Sequence, residues 1–245
     1  MGNKIIRTSS IKQGLYEISS TARGEIGGIR EFEDGRKFIY ALAGEELTLG
    51  TVCQGPVEDA SGYWEQMAVA TTVAAGDKTI TITTQSVITE NQFKDGWLIV
   101  EDETADIQGT LRKIKYHPAA GSAASLVITV YDPFVTAVTA GTDEVSLMKN
   151  PYSGILENNA TTDGPLVGLP TMTVTDAYYF WLQVRGPAAV TVAEGTVLPG
   201  QMMVVDGQAG LVLMEDGATD SEEIGRSMNS CDTNGNSVIV YLTLG

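Results

Sequence analysis

The sequence predicts an all-β protein, built as β-sandwich or barrel-like lobes of short strands and tight turns with an extended N-terminal arm. Three observations carry that reading. Apolar residues alternate with period two in "KTITITT" (78–84), "GWLIVED" (96–102), "TLRKIKYH" (110–117), "ASLVITVYD" (124–132) and "SVIVYLTLG" (237–245), the signature of half-buried strands. Those runs are rich in β-branched residues and Tyr, which suit a pleated surface. Between the runs lies turn chemistry: "AGEE" (43–46), "AAGDK" (74–78), "FKDGW" (93–97), "VDGQAG" (205–210) and "DTNGNS" (232–237), the last with an Asn-Gly hairpin signal. A dozen or more strands are expected. The one short helix suggested is "SVITENQ" (86–92), with a Ser or Thr cap and Glu90 and Asn91 facing water.

The chain has 245 residues, 43 % hydrophobic and 19 % charged, enough to bury a core without staples and too apolar for wholesale disorder. An echo suggests its organisation. "ALAGEELTLGTVCQGP" (41–56) and "AAVTVAEGTVLPGQMMV" (188–204) share a strand, a tight turn, Gly-Thr-Val and a second strand. That predicts one barrel-like lobe from residues 31–62 and 163–245, a second lobe inserted at 63–162, and a basic arm at 1–30. The inserted stretch is bounded by "NPYSG" (150–154) and the polar connector "ENNATTDGP" (157–165).

The net charge of −16 argues against nucleic acid as a partner, since phosphate binding needs clustered Lys and Arg. Residues 1–30 are the exception at +3, leaving −19 for the rest. Lys4, Arg7, Lys12 and Arg23, with apolar Ile5, Ile6, Ile11 and Leu15, make this arm a candidate docking element, mobile until it meets an acidic partner. No apolar leader core follows Met1, and no run approaches the ~18 apolar residues of a span, so a soluble chain without leader or membrane segment is expected. Cys53 and Cys231 make no metal or redox motif, and the sequence leaves their pairing open.

The search for chemistry returns no catalytic, cofactor or metal assignment. His117 is the single histidine and stands at a strand end before Pro118, without a nucleophile motif near it. Its ring is expected to be partly exposed. One His and two distant Cys do not make a zinc set. Acidic stretches at 31–36, 57–62, 101–106 and 214–223 read as exposed turns. "DTNGN" (232–236) lacks the glycine and glutamate positions of a calcium loop, and "NAT" (159–161) is a sequon that matters only on a secretory route. The densest aromatic run is Tyr178, Tyr179, Phe180 and Trp181, four of seventeen aromatic residues. In a strand, Tyr178 and Phe180 share one face and Tyr179 and Trp181 the other. A stacking platform needs its rings on one side, so the run reads as a strand buried on both sides, against a core and a neighbouring lobe or subunit.

"YYFWLQVRGPAAV" (178–190), "GTVLPGQMMVV" (195–205), "IREFEDGRKFIYALAG" (29–44), "LVITVYDP" (126–133) and "NPYSG" (150–154) together resemble structural proteins of tailed-bacteriophage virions, of the head decoration or cement type. The resemblance runs from about residue 28 to the C-terminus. It implies a non-enzymatic protein made in the host cytoplasm and bound to the outer head surface. The partners implied are the major capsid protein and further copies of this chain, with a homotrimer favoured, and no nucleic acid or membrane. "EDGATDSEE" (215–223) departs from the shorter, more apolar link of that pattern. The alternatives are a tail or fibre component, and a carbohydrate-binding module using Tyr63 and Trp64 of "SGYWEQ" (61–66).

Overall fold

The computed structural model describes residues 5–8, 10–57, 62, 64–101, 108–158, 164–193, 196–205, 212–214 and 223–245, with side chains omitted at 5–8 and 212–214. Among these residues the fold is all-β, with no helix. The chain divides into two units, Met1–Pro56 with Pro151–Gly245, and Val57–Asn150.

The first unit begins with β1 (Ile5–Thr8), β2 (Ile29–Phe32), β3 (Lys37–Ala43) and β4 (Cys53–Gln54). The second contributes β5 (Met67–Thr71), β6 (Thr79–Thr83), β7 (Trp97–Glu101), β8 (Thr110–Tyr116), β9 (Ser125–Val130) and β10 (Glu144–Met148). The chain then returns with β11 (Ser153–Glu157), β12 (Leu166–Pro170), β13 (Tyr179–Thr191), β14 (Met202–Val205), β15 (Val212–Met214), β16 (Glu223–Ser227) and β17 (Ser237–Thr243).

In the second unit β10-β5-β6-β9-β8-β7 close into an antiparallel barrel. The alternating pattern does what its period demands. Ile80 and Ile82 of β6, Leu98 and Val100 of β7 and Leu126, Ile128 and Val130 of β9 fill the interior with Phe93 and Phe134. Closure leaves no free edge, so every strand finds a ladder partner within the unit.

The first unit is organised by β13. Its first half pairs with β3 and its second half with β17, while β12 pairs at Leu182 and Gln183. Because β3 also joins β11, β11 joins β4 and β4 joins β12, the pairings β3-β11-β4-β12-β13-β3 run in a closed ring. Beyond it β17, β16, β14 and β15 continue the sheet. Gly186 has φ +85°, and a side chain there would press on the Gly35–Arg36 backbone. Only glycine lets β13 pass that turn.

Residues 151–158, which the sequence reading placed in the inserted lobe, fall in the first unit because Ser153–Glu157 pairs with β3 and β4, while Val57 and Gly62, expected in the first lobe, fall in the second unit. The expected helix at 86–92 is absent. Ile88 instead bridges Ala120 in extended conformation, and Asn91 takes φ +57°, which a continuing right-handed helix excludes.

One local device recurs through both units. Leu47 bridges Val174, Val73 bridges Val138, Ile88 bridges Ala120 and Val197 bridges Cys231. Each bridge is made by reciprocal N–H···O bonds of 2.7–3.0 Å. Three residues after seven of these eight positions the backbone turns left-handed: Gly50, Gly76, Asn91, Ala123, Gly141, Ala177 and Gly200. After Cys231 the turn comes one residue later, at Gly235. A side-chain oxygen often closes the turn. Asp77 accepts Ala74 N–H (3.1 Å), Gln92 accepts Thr89 N–H (2.9 Å), Asp143 accepts Thr139 N–H (2.6 Å) and Gln201 accepts Leu198 N–H (2.5 Å). The echo of "LTLGTV" and "VAEGTV" is therefore out of step with the true repeat, in which Leu47–Gly50 corresponds to Val197–Gly200.

Candidate functional site

The aromatic run lies at the start of β13 and is buried on both faces. Phe180 and Leu182 belong to a cluster with Leu47, Ile155 and Val174, with Tyr178 packed against it. Trp181 faces the other way, into a cluster with Ile11, Phe32, Phe38 and Tyr40, against which Leu15 and Tyr179 pack. The expected cover on that second face was a neighbouring lobe or subunit. The cover is the chain's own segment 10–28.

This segment has little ladder of its own and is held by side chains. Gln13, 1 % exposed, is the centre. Its Nε2 donates to the carbonyls of Glu17 (2.7 Å) and Tyr179 (2.8 Å), and its Oε1 accepts the Tyr40 hydroxyl (2.7 Å). Its backbone carbonyl accepts the indole N–H of Trp181 (3.1 Å). Ser19 adds a bridge to Tyr179 with bonds of 3.0 and 2.8 Å. The Arg23 amide donates to the Tyr40 hydroxyl (3.0 Å), and burial pushes that phenol's pKa up. Arg30 lays its guanidinium 4.3 Å from the Trp181 ring centroid and donates to the Ile11 carbonyl (3.1 Å). Its burial lowers its pKa. Gly24 sits where any side chain would collide with Ile11.

The arm residues therefore separate. Ile11 is buried and Leu15 half-buried, spent on this chain's own core, while Lys12 and Arg23 are exposed. The expectation that this stretch packs poorly without a partner is overturned for residues 10–28. Its apolar positions are too few for a helix or strand face, but the ring cluster on β3 and β13 supplies what they pack against. Lys4 lies outside the described residues, and Ile5, Ile6 and Arg7 lie in β1, whose side chains are also outside the description.

His117 follows the end of β8 but its ring is fully buried, not partly exposed as expected. Its Nε2 accepts the Phe93 amide (3.0 Å), which places the proton on Nδ1, facing the Pro118 carbonyl at 2.9 Å. The Phe93 ring lies against it at 5.8 Å, and burial lowers its pKa. Both nitrogens are committed to backbone, so the residue ties the 89–96 turn to the barrel. Trp64 also packs inward, edge-on to Phe93 at 5.0 Å with Lys149 Nζ 4.7 Å from its ring centroid, rather than standing free as a sugar platform. Tyr63 lies outside the described residues.

Among the described residues no three His, Cys, Asp or Glu side chains gather as a metal site would require. Asp34 at the β2–β3 turn pairs with Arg36 (2.8 Å), and 232–236 forms a turn around Gly235. The stretches 57–62, 101–106 and 214–223 and the sequon 159–161 fall largely or wholly outside the described residues. Cys53 and Cys231 are free, buried thiols in different core clusters, and burial raises the Cys53 pKa well above its ordinary value. No helix among the described residues is long and apolar enough to cross a membrane.

Each unit carries an exposed depression, the one on the second unit about 790 Å³ and lined by Gln66, Ile99, Glu101, Thr142 and Glu144 among others, the one on the first unit smaller. A groove of about 210 Å³ is lined by Tyr16, Arg36, Leu49, Pro187 and Ala189, among others. Sequence reasoning missed the groove on the first unit because its residues come from five separate stretches and none stands in a motif. The fold and this surface define an all-β protein whose buried polar side chains act as structural ties. No family model, curated protein or solved structure matches the chain.

Proposed function

We propose that this chain is a non-enzymatic structural protein of a phage virion, a decoration or cement component that binds the outer head shell, most naturally as a homo-oligomer. Two lines support the reading. One is the resemblance carried by residues 29–44, 126–133, 150–154, 178–190 and 195–205. The other is the use the fold makes of its chemistry-bearing groups. His117, Gln13 and Tyr40 spend their polar atoms on backbone or on one another, while exposed apolar side chains lie on sheet faces. The observation that carries the reading is His117, the single imidazole, with both nitrogens tied to backbone inside a barrel. Such a residue stabilises a frame and is not presented to a substrate.

The test is immunolabelling of purified particles with an antibody to this chain, read by negative-stain electron microscopy. Label over the head shell is expected. Label confined to tail or fibre would move the chain to that class, and absence of label from particles would remove the virion reading altogether.

A further inference from the structure

The outer face of β13, β17 and β16 is apolar where an exposed sheet face is ordinarily polar. Register fixes what lies on it. Pro187 stands opposite Tyr241, and Tyr241 opposite Arg226; Ala189 stands opposite Ile239, whose carbonyl takes the Met228 amide at 2.7 Å. The alternate residues, Val190, Val238, Val240 and Leu242, fill the core. Ile239 is 45 % exposed, Tyr241 37 % and Met228 51 %. Through Pro187 and Ala189 this face runs into the groove beside Tyr16 and Leu49. A continuous exposed apolar surface of this kind marks a contact site.

Its charge is the opposite of the chain's. Arg226 lies beside Tyr241, and Arg185 stands opposite Thr243 on one side and Lys37 on the other. Of the nearby carboxylates, Asp34 is already held by Arg36 at 2.8 Å, and Glu223 stands exposed at the start of β16, leaving Arg185, Arg226 and Lys37 in excess. The whole chain has 31 acidic side chains against 15 basic ones, so most other surface of a second copy would arrive bearing carboxylates. The second unit has such a surface. On the outside of its barrel Met148 stands opposite Trp97 and Leu111 opposite Ile99, with Glu144 opposite Glu101 at the end of the row. Lys113, beside Trp97, is paired with Asp95 at 3.8 Å.

We propose that the β13–β17–β16 face is a self-association site that receives a second copy of this chain head to tail, its apolar, arginine-rimmed surface taking an apolar, carboxylate-bearing surface of the neighbour. A two-fold contact would set this face, with its Arg226 and Arg185, against the same basic face of the other copy. Unlike surfaces avoid that repulsion and close into rings when the rotation allows. This inference deepens the reading of the chain as an oligomeric structural component and rests on it for its biological setting, but not for its test.

The test uses the full chain, in light scattering and sedimentation over a range of concentrations and salt. The wild type is expected to associate at micromolar concentrations and to weaken as salt screens the arginines. Ile239→Asp and Arg226→Glu are each expected to weaken association at least about tenfold, with a cooperative melt retained because neither side chain belongs to the core. Val135→Asp, at a fully solvated turn of the second unit, is expected to associate as the wild type does. A wild type that stays monomeric at tens of micromolar in low salt would overturn the proposal. So would Ile239→Asp chains that associate normally, or a Val135→Asp chain as impaired as they are. Failure to find the chain on virions would leave these outcomes untouched, so the two readings fail separately.

Discussion

The two units close their cores by different means. The barrel of the second unit is closed by ladders, with every strand hydrogen-bonded on both sides. Its core is a single cluster running from Met67 to Leu147. The first unit closes the far side of β3 and β13 with segment 10–28, which meets the sheet through a bridge at Ser19, the side chain and carbonyl of Gln13, the Arg23 amide and a backbone pair joining Gly27 and Gly28 to Tyr40. A ladder spreads its stability over many equivalent bonds. A clasp concentrates it in a few. The first unit should therefore be far more sensitive to single changes at its closure than the second.

The sharpest way to break that comparison is to remove the clasp. Deleting residues 2–27 would bare Trp181, Tyr40 and Phe38, which are at most 1 % exposed now. The expected result is loss of the cooperative melt of the first unit and aggregation, while amide exchange in the strands β5 to β10 stays slow. A truncated chain with a wild-type melt would show that the clasp is ornamental. Gln13→Ala is the next largest change. It removes the acceptor of the Tyr40 hydroxyl proton and one of two donors to the Tyr179 carbonyl, which keep the Arg23 and Ser19 amides, a loss of about 1–3 kcal/mol in all. A loss of about 2 kcal/mol in denaturant unfolding is expected, and a loss below ~1 kcal/mol would place the closure elsewhere.

The second unit has its own polar tie, and pH reads it. The folded-state pKa of His117 is lowered by burial, whereas the unfolded chain titrates near about 6.5. Below that pH the unfolded state binds a proton that the folded state refuses, so stability is whole above it and falls as the pH drops, until the folded pKa is reached. Urea unfolding followed from neutral to acid pH should show this decline, and His117→Gln should flatten it. An unchanged slope in that variant would assign the acid sensitivity to other groups.

The smallest expected effects test the turn device shared by both units. Ala123 and Ala177 hold φ of +52° and +60°, where a Cβ is strained. Ala123→Gly in the second unit and Ala177→Gly in the first should each raise stability by about 0.5 kcal/mol, the strain relieved outweighing the entropy added to the unfolded chain. Equal gains in both units would show that the turn acts alike whichever closure lies beside it.

The sequence was most legible where periodicity alone decides. "TITIT" at 79–83 alternates Thr outward and Ile inward as its period requires, and the two-sided burial of Phe180 and Trp181 follows from strand geometry. The left-handed turns were visible only in part, as Gly-bearing loops. Ala123, Ala177 and Asn91 occupy the same conformation without glycine, and the bridging pairs join residues up to 127 positions apart (Leu47 with Val174). The helix read at 86–92 failed for the same reason, since its Ile88 is committed to Ala120 across the barrel.

By itself, then, the amino-acid sequence determined the all-β class, the faces of the strands and the absence of a run long enough to span a membrane, because these depend on neighbours one or two residues apart. Tertiary structure alone decided that Gln13 would lock a basic segment onto Trp181 and that His117 would be sealed between Phe93 and Pro118. It also decided that Pro187, Ile239, Tyr241 and Met228 would share one outward face. Each of those three outcomes joins chain segments whose meeting is set by strand order and register, and none is written in the local pattern of any one segment.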